Sequence, residues 1–97
     1  MSDKQNAEEF YKKLKGQLEE STEWPSQYLY KFIVKTDIKK IDQIESLFNH
    51  TGAVIKTTES KNGTYTSVSI NLIMKDPEAV ISKYIEVTEK VEGVISL

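Results

Sequence analysis

The stretch that decides the fold is Ser60-Lys61-Asn62-Gly63-Thr64-Tyr65-Thr66-Ser67-Val68-Ser69-Ile70-Asn71-Leu72. An Asn-Gly pair favours a two-residue hairpin turn with positive φ at both central positions. The strict alternation of polar and apolar residues after this pair predicts a strand with one buried face. We therefore expect the even-numbered side chains from Thr66 to Leu72 to face a core, and the odd-numbered ones from Tyr65 to Asn71 to face away from it.

The same turn fixes the register of the preceding strand, which we place at Ala53 to Glu59. Pairing across Asn62-Gly63 sets Lys56 beside Ser69, with both side chains outward. Another strand follows Trp24-Pro25, because proline keeps the residue before it out of the helical region. Its core face carries Tyr28, Tyr30, Phe32 and Val34.

Two helices lie between these strands, and each begins at an aspartate that can cap it. Asp37 opens a helix that we expect to end near His50, and Asp76 opens a second helix with Pro77 at its first position. Helical spacing predicts buried stripes of Ile38, Ile41, Ile44, Leu47 and Phe48 on the first and Val80, Ile81, Tyr84, Ile85 and Thr88 on the second. Residues 93–97 supply the last strand.

The order strand, helix, strand, strand, helix, strand predicts an α+β fold, the ferredoxin-like βαββαβ sandwich. Its four-stranded antiparallel sheet carries both helices on one face, and its strands lie in the spatial order 4-1-3-2. We assign residues 24–97 to this domain. Residues 1–23 form an N-terminal leader helix and linker, whose apolar side consists of Phe10, Tyr11, Leu14 and Leu18.

The composition indicates one globular domain, since the chain has 97 residues, of which 38% are hydrophobic and 29% charged. No apolar run approaches the roughly 20 residues that a membrane span needs, so we expect a cytoplasmic protein without a membrane partner. All 13 cationic residues are lysine and the formal net charge is −2, which disfavours nucleic acid as a partner.

Several segments resemble a known family. They are Trp24-Pro25 ahead of Tyr28 and Tyr30-Lys31-Phe32, Ser60 with Gly63, the strand from Tyr65 to Ile70, and Val94-Ile95-Ser96-Leu97. Together they resemble the YbeD-like family of small bacterial proteins of unknown function. The resemblance implies an ACT-like fold and a bacterial, cytoplasmic origin, and none of its motifs is catalytic. The chain departs from ACT-like ligand sites at Lys35-Thr36-Asp37, where those sites tend to have glycine, so the resemblance does not extend to amino-acid binding at that loop.

Reactive groups are scarce in this sequence. It has one histidine, His50, and no cysteine, so we predict no metal site and no cofactor. His50 falls at a predicted helix end, where the helix dipole favours a cation, so we give it a structural role. The acidic pairs Asp42 with Glu45 and Glu86 with Glu89 have the spacing of solvated helix surface. We therefore expect that the protein is not an enzyme.

The open side of the sheet is the candidate functional surface. Its hydroxyl, amide and ammonium groups suit a protein partner or a small polar ligand, although antiparallel sheets also commonly leave one face to solvent. We expect a non-enzymatic regulatory or interaction domain that binds through this face or through a dimer interface. The candidate binding residues are Lys31, Lys56, Tyr65, Ser67, Ser69 and Asn71.

RNA binding is the alternative, because RNA-recognition motifs share this topology and stack bases on aromatic side chains of the two central strands. Tyr65 is the only outward aromatic residue predicted on those strands, which weakens this alternative. Leu29, Ile33 and Ile73 interrupt the polarity of the open side. They either seat the leader helix or contribute to a homodimer contact.

Overall fold

The computed structural model describes residues 3–96 and, within them, three helices and four strands. The helices are α1 (Asp3–Ser21), α2 (Ile38–Ser46) and α3 (Pro77–Lys90), and the strands are β1 (Ser26–Lys35), β2 (Val54–Glu59), β3 (Tyr65–Met74) and β4 (Ile95–Ser96). Met1 and Ser2 of the predicted leader, and Leu97 of the predicted last strand, lie outside the described residues. No helix in the described part is long and apolar enough to cross a membrane.

The strands form one antiparallel sheet in the order β2-β3-β1-β4. The two central strands, β1 and β3, pair along their whole length, from Ser26 opposite Met74 to Lys35 opposite Tyr65. This order confirms the predicted α+β architecture and is consistent with a ferredoxin-like fold that has an additional N-terminal helix.

The hairpin between β2 and β3 has the predicted register but not the predicted turn. His50 is the only non-glycine residue with positive φ in the described chain, so Asn62 does not adopt the conformation that a two-residue turn requires. Instead Gly63, with φ 71°, donates its backbone N–H to Ser60 O at 2.8 Å, and Ser60 N donates to Tyr65 O at 2.7 Å. The resulting four-residue loop is centred on the same peptide bond, so the register with Lys56 opposite Ser69 is unchanged.

The core lies between the sheet and the layer formed by α2 and α3. Aromatic rings fill its centre, with the Tyr30 ring centroid 5.7 Å from that of Phe32, 5.3 Å from that of Phe48 and 4.8 Å from that of Tyr84. The even-numbered side chains of β3 are all buried beneath these rings and the helices. The predicted inward direction of the alternating strand is thereby confirmed.

The helix stripes were predicted less well than the strand faces. α2 ends at Ser46, before a run of turns, and Ile38 is 69% exposed instead of buried. On α3, Ile85 and Thr88 are exposed, whereas Val87, which was not predicted, is fully buried. α3 is therefore rotated about its axis relative to the prediction. Its buried side chains are those of Pro77, Val80, Tyr84 and Val87.

The leader helix α1 lies on the helical layer, where it contacts α3. Its side chains that pack against the core are Tyr11, Leu14 and Leu18. The indole Nε1 of Trp24 donates to Leu18 O at 3.1 Å and holds the end of α1 against the domain. Leu29 and Ile73 remain 56% and 72% exposed, so they do not seat the leader helix. The other alternative, a homodimer contact, stays a prediction. No described helix covers the outward face of the sheet.

Candidate binding surface

The outward face of the sheet, called the open face below, is defined by strand parity. It consists of the odd-numbered residues of β1 and β3, the even-numbered residues of β2, and Ile95 of β4. All the candidate binding residues lie on it: Lys31, Lys56, Tyr65, Ser67, Ser69 and Asn71. The three strands that carry these residues, β1, β2 and β3, are each paired along their full length, so the fold fixes the backbone positions from which the side chains project.

The centre of the open face is a row of three residues in register. Ser69 on β3 is opposite Lys56 on β2 and Lys31 on β1. Both lysines are exposed, whereas Ser69 is half-buried. Since neighbouring strands are about 4.8 Å apart, the two lysine backbones are separated by roughly 10 Å. A short side chain between two long ones makes the middle of the open face a shallow trough along β3.

The next row is apolar at both sides. Asn71 on β3 is opposite Val54 on β2 and Leu29 on β1, which are 62% and 56% exposed. Ile73, one pleat further along β3, is 72% exposed. Val54 was not included in the predicted site, although the register that places Lys56 beside Ser69 also places Val54 beside Asn71.

The side-chain amide of Asn71 is the unusual feature of this row. Its Oδ1 atom is enclosed and has no hydrogen-bond partner among the described residues. Such buried oxygen atoms are rare in folded proteins, because leaving one unpaired costs about 1–3 kcal/mol. We therefore expect Asn71 to lower the stability of the free domain, at a position where its cross-strand neighbours, Val54 and Leu29, are aliphatic.

Replacing Asn71 by valine is expected to raise the free energy of unfolding by about 1 kcal/mol. The change removes the unpaired oxygen and places a β-branched residue in a central strand. Urea denaturation of both proteins measures the difference. Ser69→Val in the same strand is the matched control, since it makes the same gain in strand propensity without an enclosed oxygen. An Asn71→Val gain no larger than that of the control would show that Oδ1 is satisfied in solution.

Three lysines give the open face its charge. Lys31, Lys35 and Lys56 all point outward, and no acidic side chain does so from the described strands. The ion pairs within the described residues lie elsewhere, between Glu86 and the lysines of α3. The formal net charge of −2 for the whole chain thus conceals a cationic face. Lys35, opposite Tyr65, belongs to this surface although it was not in the predicted site.

The far end of the open face combines an aromatic ring with aliphatic side chains. Tyr65 is 42% exposed, and Ile95 on β4 is 53% exposed beside Ile33. Ser67 lies in the row of Ile33 and Ile95, and its Oγ donates to Thr58 O at 3.4 Å. Within the described strands, Tyr65 is the only aromatic residue on the open face.

A surface depression lies away from the open face. It has a volume of about 540 Å³ and lies along the first turns of α3, beside Lys75 and Asp76. Lys83, on its wall, donates to Leu47 O and to Glu86, and that hydrogen bond lowers the pKa of the Glu86 carboxyl. Lys83 thus links α3 to the end of α2.

His50 lies in the turns after α2, with φ 62°, and not in the last helical turn where it was predicted. Its side chain is exposed. Across the described side chains, no three histidine or acidic residues come together in a way that could hold a metal ion.

Comparison with known proteins gives one match. A family model described as "Protein of unknown function (DUF493)" matches residues 19–95. No curated protein matches the chain, and no solved structure matches it. The matched range includes β1, β2 and β3, which carry all six of the predicted site residues.

Proposed function

The chain belongs to this family of proteins of unknown function, and from its geometry we propose that it is a non-enzymatic interaction module that binds a protein partner through the open face. The proposal includes a regulatory role, together with the ACT-like fold and the cytoplasmic location that the resemblance implied. A small polar ligand is a weaker alternative, because small-molecule sites are concave and enclosed, whereas the open face is broad.

One observation carries this proposal, namely the exposed aliphatic group at one end of the open face. Leu29, Val54 and Ile73 are each more than half exposed and lie around Asn71 on three adjacent strands. Clustered aliphatic side chains of this kind, bordered by polar residues, are typical of protein interaction sites. The inward-facing side chains of β3 are all buried in the core, and the alternation of strand side chains keeps these three residues on the outward side of the sheet.

RNA is less well matched to this surface. Single-stranded RNA is held by stacking on aromatic side chains and by cationic contacts to phosphate. The open face offers Tyr65 for stacking and three lysines, and the sequence contains no arginine for bidentate phosphate contacts. The aliphatic group formed by Leu29, Val54 and Ile73 would remain uncovered.

The proposal is tested by affinity capture from a native lysate of the source organism, with the wild-type protein and variants of its open face as bait. We expect wild-type protein to retain a partner that the Leu29→Asn/Ile73→Asn double variant loses. The two substitutions remove most of the exposed aliphatic surface without touching the core. A nuclease-treated sample distinguishes protein from RNA, since an RNA partner would disappear on digestion.

The matched control is Ile38→Asn, because Ile38 is 69% exposed on the helical layer while Ile73 is 72% exposed on the open face. The control should retain the partner as well as the wild type does. Equal retention by all three proteins, or no retention by the wild type, would contradict binding through the open face.

A further inference from the structure

We propose that the occupant of the open face is an acidic amphipathic helix of a partner protein, lying along β3 between Lys31 and Lys56. This inference rests on the proposed function and adds the chemistry and shape of the partner. It follows from three properties of the open face, which are its width, its charge and the position of its aliphatic residues.

The width of the trough matches a helix. Lys31 and Lys56 are two strands apart, roughly 10 Å between backbones, with only Ser69 between them. An α-helix with its side chains is about 10–12 Å across. Short side chains on β3, at Ser67 and Ser69, allow such a helix to approach the sheet closely.

The charge of the trough selects an acidic helix. Lys31 and Lys35 stand on one wall and Lys56 on the other, and no carboxylate on the described strands neutralises them. Glutamate or aspartate side chains on the two flanks of the helix would reach both walls. Complementary charges of this kind raise the association rate and select among partners.

The aliphatic residues select an amphipathic helix. They lie at one end of the trough, where Leu29 and Val54 flank Asn71 and Ile73 follows on β3. A helix whose apolar residues recur at three- and four-residue spacing places them along one stripe facing the sheet. Acidic residues then fall beside the stripe, next to the lysines.

Other occupants fit less well. The leader helix of the same chain is engaged on the opposite layer through Tyr11, Leu14 and Leu18. A second copy packed face to face by two-fold symmetry would bring the cationic rows together, which is destabilising. RNA phosphates would pair with the lysines, but RNA would leave the aliphatic side chains of Leu29, Val54 and Ile73 exposed to water.

Designed peptides test this inference directly. The probes are three helices of about 18 residues, long enough to be helical, with one shared leucine stripe and either glutamate, glutamine or lysine at the flanking positions. A single-stranded uridine oligonucleotide is the fourth probe. Each is added to isotope-labelled full-length protein, and amide shifts are followed by NMR. We expect the glutamate helix to bind and to shift the amides of Lys31, Lys56 and Ser69.

Charge reversal identifies the contacts. Lys31→Glu/Lys56→Glu should weaken binding of the glutamate helix at least about tenfold, a change of about 1.4 kcal/mol. Lys12→Glu/Lys13→Glu, which reverses two exposed lysines of α1, is the matched control and should change affinity less than about twofold. Lys31→Gln/Lys56→Gln should give an intermediate loss. Circular dichroism checks that each variant is folded.

The outcomes separate this inference from the proposed function. Shifts confined to α1 or α3, equal binding of the glutamate and lysine helices, or binding of the oligonucleotide alone would each overturn the acidic-helix assignment. Capture that depends on Leu29 and Ile73 would still stand in those cases. If capture from the lysate does not depend on Leu29 and Ile73, the proposed function is contradicted, whichever peptide binds.

Discussion

Replacing Ile70 by alanine is expected to lower the free energy of unfolding by about 2–5 kcal/mol. Ile70 is fully buried on the inward face of β3, among the aromatic rings and the helices. Removing its side chain loses the transfer free energy of the deleted atoms and leaves a cavity that the packed core cannot close. Since small domains are stable by only about 5–15 kcal/mol, the variant should unfold at much lower urea concentration.

Ile73→Ala is the matched control for this prediction. It makes the same chemical change in the same strand, but Ile73 is 72% exposed on the open face. The expected change is within about 0.5 kcal/mol. The loss of strand propensity is common to both variants, so their difference reports burial alone. Equal effects of the two substitutions would contradict the assignment of the inward and outward faces of β3.

Alkaline pH is expected to destabilise the protein by about 3 kcal/mol between pH 8 and 11. Burial raises the pKa of Tyr30 above its ordinary value, and the neighbouring Tyr28 raises it further. Burial likewise raises the pKa of Tyr84, as does its hydrogen bond with Tyr28. Above about pH 10 the unfolded chain releases these two protons while the folded protein keeps them. Stability therefore falls with rising pH, by about 1.4 kcal/mol per unit for each tyrosine.

Urea denaturation at several pH values measures this slope. Tyr84→Phe removes one of the two groups and should reduce the loss between pH 8 and 11 by about half. The comparison uses slopes, because the variant also loses the 2.8 Å hydrogen bond between the Tyr28 and Tyr84 hydroxyl groups. Tyr65→Phe, which changes an exposed tyrosine on the open face, is the matched control and should keep the wild-type slope. If the free energy of unfolding falls with pH at the same slope in the wild type, Tyr84→Phe and Tyr65→Phe, the prediction is contradicted.

Most of the sheet could be predicted from the sequence. The alternation from Tyr65 to Leu72 gave the inward direction of β3, and the Asn62-Gly63 pair gave its register with β2. Both are local properties, because successive side chains of a strand point to opposite faces and a short loop fixes the pairing. The turn itself was different, but its centre was the same, so the prediction of the register did not depend on the turn type.

The candidate site was predicted in part. The outward positions of Lys31, Lys56 and Ser69 followed from parity and register. Whether those positions would be exposed depended on where the leader helix packs. Its apolar side could have packed on the open face as well as on the helical layer. The enclosed oxygen of Asn71 also could not be predicted, since it depends on how the surrounding side chains lie in three dimensions.

The sequence by itself determined which side of each strand is apolar and how the strands of the hairpin pair. Tertiary structure alone decided the rotation of α3 and the position of α1 on the helical layer. The physical reason is that a strand has only two faces, so the alternation of polar and apolar residues decides which face is buried. A helix can turn about its axis, and the stripe it buries is chosen by the shape of the surface against which it packs. That choice left the open face uncovered.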